Sequence, residues 1–341
     1  MSRTYFVTGG AGFIGSNFVN RLLRRGERVI VYDNLSRGGA HANLAWLRDA
    51  FGKDSFELIE GDVAEAAKLE NHARQADVMV HLAGQVAVTT SVTDPRQDFE
   101  ANALGTFNAL EAARLSGRQP IFLYASTNKV YGGMEDVKLA ELPKRWQYAD
   151  LEHGCPESQP LDFHSPYGCS KGAGDQYVRD YARIYGLRTV VFRQSCIYGP
   201  RQFGVEDQGW LAWMIIAAVT GKSITIYGDG KQVRDVLRVE DLLDAYDAAV
   251  ERIDVAKGQV YNLGGGVTNV LAVWAEFGPM LERLLGRSIA VGRADWRPGD
   301  QRVFYADIRK AKQELGWEPK IGLEQGIKSL VEWVQENRAL F

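Results

Sequence analysis

A glycine-rich turn near the start restricts the fold of this chain more than any other segment. The run Thr8-Gly9-Gly10-Ala11-Gly12-Phe13-Ile14-Gly15 follows a short apolar strand, Tyr5 to Thr8, and opens a helical stretch from Gly12 to Arg25. Glycine here permits a tight turn and lets the backbone approach a pyrophosphate seated on the helix N-terminus. The spacing carries little weight alone, since it also occurs in purely structural turns. It gains weight from Asp33, at the end of a second strand from Arg28 to Tyr32. That carboxylate would bind both ribose hydroxyls of NAD and repel the extra phosphate of NADP.

The first half keeps the same rhythm. Phe56 to Glu60, Val78 to Leu82, Ile121 to Ala125 and Thr189 to Arg193 are brief apolar runs separated by helical stretches. The alternation predicts an α/β fold, a Rossmann doubly wound parallel sheet covered on both faces. Ligands of such sheets bind beyond the carboxyl ends of the strands, where Thr8-Gly9, Asp33, Asp62, Ala83-Gly84, Ser126-Thr127 and Gln194 fall. Gln259 to Leu263 reads as a seventh strand returning to the sheet. Loop signals at Tyr198-Gly199-Pro200-Arg201, Tyr227-Gly228-Asp229-Gly230 and Arg297-Pro298-Gly299-Asp300 mark a smaller C-terminal α/β lobe. The expected division gives residues 1–193 plus about 236–269 to the dinucleotide part. Residues from about 194–235 plus 270–341 go to a substrate lobe, with the cleft between them.

Acidic and basic residues are mixed and the net charge is −3, which argues against a nucleic-acid surface. The chain enters an apolar strand at Thr4 to Val7 with no charged-then-apolar leader before it. The longest apolar run, Trp210 to Val219, is too short for a bilayer and reads as a buried helix. Cys155, Cys169 and Cys196 are scattered, with no metal-ligand spacing. Reduced thiols and a cytoplasmic location are expected.

Tyr167 and Lys171 are four apart in Ser165-Pro166-Tyr167-Gly168-Cys169-Ser170-Lys171, so a helix would put them on one face. An ammonium beside a phenol favours the phenolate and lowers its pKa. Thr127, in Ser126-Thr127-Asn128-Lys129-Val130-Tyr131-Gly132, could bridge that phenol and a substrate alcohol; alternatively it caps its own loop. Together these groups could remove a proton from a sugar hydroxyl while hydride leaves the same carbon for a nicotinamide. Asp62 and Val63 suit the adenine end, or Asp62 is a turn aspartate. Ala83 to Val86 would lie along the pyrophosphate. His81 is expected to be packed, and His164 to be either a helix cap or a substrate contact. Arg234 and Arg302 have forks that suit a diphosphate, or they are surface arginines.

These segments, with Asn102-x-x-Gly105-Thr106, Tyr198-Gly199-Pro200 and Arg234-Asp235, make the chain similar to the extended short-chain dehydrogenase/reductase family of nucleotide-sugar enzymes. The resemblance covers essentially the whole length. It implies a nucleotide-sugar substrate, NAD as cofactor and a homo-oligomer, dimer or tetramer, paired through helices near Asp98 to Leu115 and Tyr167 to Tyr185. It implies catalytic roles for Thr127, Tyr167 and Lys171. Cofactor contacts would come from Gly9, Gly12, Phe13, Ile14, Gly15, Asp33, Asn34, Asp62, Val63, Leu82, Ala83, Gly84, Gln85, Asn102, Tyr167 and Lys171. Substrate contacts would come from Thr127, Asn128, His164, Arg201, Gln208, Arg234 and Arg302.

Two departures from the wider family narrow the chemistry. Asn128-Lys129 stands where the family's 4,6-dehydratases place Asp-Glu for water elimination, and an amide cannot do that proton work. Cys196 stands where many 4-epimerases carry a sugar-diphosphate asparagine. The closer resemblance is to the family's CDP-sugar 2-epimerases. It lies in His81 to Ala87, Ser126 to Gly132, Leu161 to Lys171, Asp207-Gln208-Gly209-Trp210, Gly230 to Leu237 and Asp300 to Phe304. A 4-epimerase or 4-reductase of a UDP- or dTDP-sugar stays open as an alternative. So does a non-catalytic NAD-sensing module, although such a protein would be expected to lose the tyrosine or the lysine.

Overall fold

Each central strand is apolar on both faces, and the two sets of side chains enter different cores. Val29 and Val31 pack into one layer, with Val7, Val80, Leu123 and Phe192. Ile30 and Tyr32 pack into the other, with Phe6, Met79, Phe122 and Val191. The strand period of two thus forces a sheet covered on both sides. The computed structural model, which describes residues 2–297 and 300–341, shows that sheet.

Its seven strands run in the order Gln259–Leu263, Arg188–Gln194, Ile121–Thr127, Val78–His81, Thr4–Thr8, Arg28–Asp33 and Glu57–Glu60. Every neighbouring pair is parallel. All seven expected strands are present, with ends shifted by one or two residues. The chain builds outward from Thr4–Thr8 in both directions. The point where its course reverses lies between Thr8 and His81, and a cleft opens there.

The Trp210 to Val219 run is the helix Trp210–Thr220, buried as expected. It packs with helices Phe277–Leu285 and Leu323–Glu336 around a separate core. Strand Val233–Arg238 pairs antiparallel with Val270–Ala272 and parallel with Val303–Phe304 and Cys196–Tyr198. The expected boundary near residue 235 falls inside this strand. Asp235 is fully buried there, its carboxylate accepting from Ser195 Oγ, Gly266 N–H and Ala306 N–H. Pro298 and Gly299 of the expected loop lie outside the described residues.

The helix expected over Asp98 to Leu115 is broken. Pro95–Phe99 and Gly105–Leu115 are α-helical, and Glu100–Leu104 between them is a π turn. Asn102 sits in that turn and donates to the Gln85 carbonyl and the Asp98 carboxylate, both at 3.0 Å. Wide turns of this kind occur where a side chain must be aimed inward, and periodicity alone does not reveal them.

Candidate active site

The cleft at the carboxyl edge of the sheet holds a cavity of ≈ 700 Å³. Gly9, Gly12, Phe13, Ile14 and Gly15 form one wall, where the first strand turns into helix Phe13–Arg24. Gly9 has φ +70°, and a Cβ there would sit 2.7 Å from the Ala83 nitrogen. A Cβ at Gly15 would collide with the Gly9 carbonyl oxygen. Side chains are therefore excluded and the backbone itself is the cradle, which fits a pyrophosphate. Asp33, Asn34, Asp62, Val63, Leu82, Ala83, Gly84 and Gln85 line the same cavity.

Local hydrogen bonds fix these groups. Asp33 accepts from the Ala11 N–H at 2.9 Å and the Leu35 N–H at 2.8 Å. Burial raises the Asp33 pKa, and those two bonds oppose the rise. Asp62 accepts from the Ala64 N–H at 2.9 Å and from the Asn34 amide at 2.8 Å, so it is both a turn aspartate and a cavity wall. Asn102 supports the Ala83–Gln85 segment from behind, and a Cβ on Gly84 would meet its Oδ1. His81 is packed as expected, between Thr8 Oγ1 at 2.8 Å and Thr106 Oγ1 at 3.1 Å. Burial holds it neutral, with its pKa lowered to about 3.

Helix Ser165–Tyr185 brings Tyr167 and Lys171 to the cavity, facing strand Ile121–Thr127. The Thr127 hydroxyl donates to Asn128 Oδ1 at 3.4 Å and accepts from the Lys129 N–H at 3.3 Å, and it lies close enough to the Tyr167 phenol to act on it. The loop-capping reading of Thr127 is met, and the hydroxyl stays beside the phenol. The expected lowering of the phenol by Lys171 does not occur here. Burial pushes Tyr167 up to about 12, the Thr127 hydroxyl lowers it, and the Asp98 carboxylate raises it. The Lys171 ammonium instead lies 4.4 Å from the Tyr124 ring centre. Burial lowers its own pKa to about 8, against the attraction of Asp98 and Asp175.

The expected substrate residues fall into two groups. Arg201 and Gln208 line the cavity beside Asn34, Ser36 and Arg37. Gln208 Oε1 accepts from Arg37 at 2.6 Å. The Arg201 guanidinium stacks 4.5 Å over Trp46 and 5.7 Å over Trp333. On the other side, Arg234 is buried and paired with Asp300 at 2.8 Å. Asn128 is buried next to Thr127, and Lys129 Nζ donates to Gln301 Oε1 at 3.3 Å. Cys196 lies beside Lys129 and Arg234, its thiol pushed up by burial.

His164 loses one of its two readings, and Arg302 takes the surface one. His164 makes no side-chain cap; its ring pairs with Asp162 at 3.0 Å, and the Ser165 hydroxyl accepts from the Gly168 N–H instead. Arg302 is an exposed side chain stacked between Trp146 at 4.7 Å and Trp296 at 5.4 Å.

Sequence reasoning missed Asp98 and Lys129. Asp98 is fully buried, accepts from the Asn102 amide at 3.0 Å, and its charge acts on both Tyr167 and Lys171. A single acidic residue on a helix gives no sign of that in sequence. Spacing presents Lys129 only as a missing acid. In the fold its pKa is lowered to about 8 by burial, with Arg234 adding to the fall.

Known proteins share this architecture. A profile of the GDP-mannose 4,6-dehydratase family matches residues 6–330. CDP-paratose 2-epimerase of Salmonella typhi is 44% identical over 334 residues, covering 96% of this chain and 98% of that protein. The crystal structure of Thermotoga maritima UDP-glucose 4-epimerase with UDP-glucose superposes with a TM-score of 0.83 at 32% identity, covering 98% and 99% of the two chains. A dTDP-glucose 4,6-dehydratase from Streptomyces venezuelae with NAD bound gives 0.85 at 29%, covering 99% and 98%.

Proposed function

This chain belongs to the GDP-mannose 4,6-dehydratase family of NAD-dependent epimerases and dehydratases, and from that premise we propose that it is a nucleotide-sugar epimerase converting CDP-paratose to CDP-tyvelose at C2. The observation that carries the reading is Asn128-Lys129 directly after Thr127, inside a chain 44% identical to a CDP-paratose 2-epimerase. The amide of Asn128 has no proton to give a leaving hydroxyl, and Lys129 is held by Gln301. Elimination lacks the carboxylic acid and carboxylate base of the dehydratases, while proton removal from an alcohol keeps all its parts.

NAD is the cofactor, and when bound it supplies a hydride acceptor that then becomes the donor. Gly9, Gly12, Phe13, Ile14 and Gly15 would hold its pyrophosphate, Asp33 a ribose, and Asn34, Asp62 and Val63 the adenine end. Leu82 to Gln85, supported by Asn102, would line its path. Tyr167 takes the proton from the sugar hydroxyl and later returns it. Its phenol must come down from about 12 for that, so ligand binding has to bring positive charge or hydrogen bonding to its oxygen. Lys171 is the resident cation one helical turn away. Thr127 holds the alcohol, and Asn128 borders the sugar. Arg234 would meet the diphosphate by exchanging Asp300 for it.

A dimer fits the exposed aromatic and aliphatic face formed by Phe99, Phe107, Tyr177 and Ile184, on the two helices expected to pair. The division into a dinucleotide lobe and a substrate lobe is part of the same proposal.

The test is proton NMR of CDP-paratose incubated with the enzyme in deuterated water. Conversion to CDP-tyvelose with no deuterium at C2 is expected. Deuterium at C2 would show enolisation instead. Inversion at C4 of a UDP-sugar, with CDP-paratose untouched, would favour the 4-epimerase reading, which the likeness to the Thermotoga maritima enzyme keeps in play.

A further inference from the structure

A second cavity, of ≈ 360 Å³, lies at the sheet edge beside strand Gln259–Leu263 and shares no lining residue with the first. Glu157, Arg179, Arg193, Gln259 and Lys310 are in its wall. Three cations in so small a space need anions, and the structure supplies one of them firmly. Arg193 grips Asp175 through Nε and Nη2, both at 2.9 Å. Arg179 and Lys310 have no carboxylate partner among the described residues. The Arg179 Nη1 donates to Gln176 at 3.3 Å, and its Nε is buried without an acceptor. Lys310 Nζ donates to Gln259 Oε1 and to the Val260 carbonyl, both neutral and both at 3.0 Å.

The carboxylate in the wall, Glu157, feels the charge of Lys310 but forms no ion pair with it among the described residues. It accepts the Asn262 N–H at 2.8 Å, and burial raises its pKa. Arg179 and Lys310 therefore enter the cavity wall with neutral hydrogen-bond partners only. A planar fork on helix Ser165–Tyr185 and an ammonium on helix Arg309–Leu315 are the donor types that bind an oxyanion.

We propose that this cavity is a binding site for a small oxyanion, the phosphate or carboxylate group of a metabolite, held by Arg179 and Lys310. Its inner wall joins the active site through side chains. Arg193 holds Asp175, which accepts from Ser126 Oγ at 2.9 Å, and Ser126 immediately precedes Thr127.

The test is calorimetric titration of the NAD-loaded protein at constant ionic strength, with inorganic phosphate in one arm and citrate in the other. Saturable binding is expected in at least one arm, and the stronger arm names the chemistry. Affinity should fall at least tenfold in both Arg179→Gln and Lys310→Gln, while NAD affinity stays at the wild-type value. No saturable binding of either anion would overturn the proposal, as would wild-type affinity in both variants.

Discussion

The two sides of the cleft are built on opposite plans. The cofactor side is made of backbone and small residues, with Gly9, Gly12 and Gly15 leaving a groove that no side chain enters. The side proposed for the substrate is made of polar side chains that already hold one another. Arg234 holds Asp300, Lys129 holds Gln301, and Gln301 donates to the Gly132 carbonyl. A groove of backbone is ready before its ligand arrives. A cluster of paired charges must trade partners when its ligand arrives. On the proposed function, the first plan suits retention of one cofactor and the second suits exchange of a substrate.

Substitutions should separate the two plans. The largest effect is expected from Gly15→Ala. Its new methyl would collide with the Gly9 carbonyl inside the helix start, where neither partner can yield. NAD binding should disappear, and stability should fall by about 3 kcal/mol in thermal unfolding. Normal NAD binding by the Gly15→Ala variant would show that the groove is not rigid.

Tyr167→Phe comes next. Turnover should drop by about a hundredfold to ten-thousandfold, with NAD affinity nearly intact, because only the phenol oxygen is lost. Steady-state kinetics beside a cofactor titration would reveal any mixing of the two roles.

Arg234→Gln should act on the substrate side alone. It removes the fork and frees Asp300, so affinity for CDP should weaken by about ten- to a hundredfold while NAD binding stays unchanged. Loss of NAD binding in this variant would mean that the two sides are one unit.

The smallest effect is a pH dependence. Lys129 has a pKa of about 8 in the fold against 10.5 ordinarily. Below pH 8 the folded protein carries a poorly solvated ammonium, and the cost is fully present. Between pH 8 and 10.5 the folded form sheds that proton before the unfolded form does, so the cost is relieved as pH rises. Lys129→Met should therefore be more stable than wild type at pH 7, by on the order of 1 kcal/mol, with the gain shrinking toward about pH 10. A difference that stays constant across that range would place Lys129 in ordinary solvent.

Legibility in the sequence follows the same division. The cofactor side could be read because its requirements are local. Gly9 to Gly15 and Asp33 are set by one strand, one turn and one helix, and adjacent residues encode those. The seven strands could be read because a sheet buried on both faces demands continuous apolar runs. The substrate side was read less well. His164 pairs with Asp162, and Arg302 lies beside two tryptophans. Those partners come from the fold, and spacing could not announce them.

By itself the sequence determined the parallel sheet, the glycine cradle and the meeting of Tyr167 with Lys171 on one helix, because each rests on periodicity or on neighbours in the chain. The tertiary structure decided the charges. It buried Tyr167 enough to raise its phenol rather than lower it, placed Asp98 against it beside a π turn, and put Lys129 beside Arg234. Burial and long-range pairing set those protonation states, and both arise only when distant segments pack together.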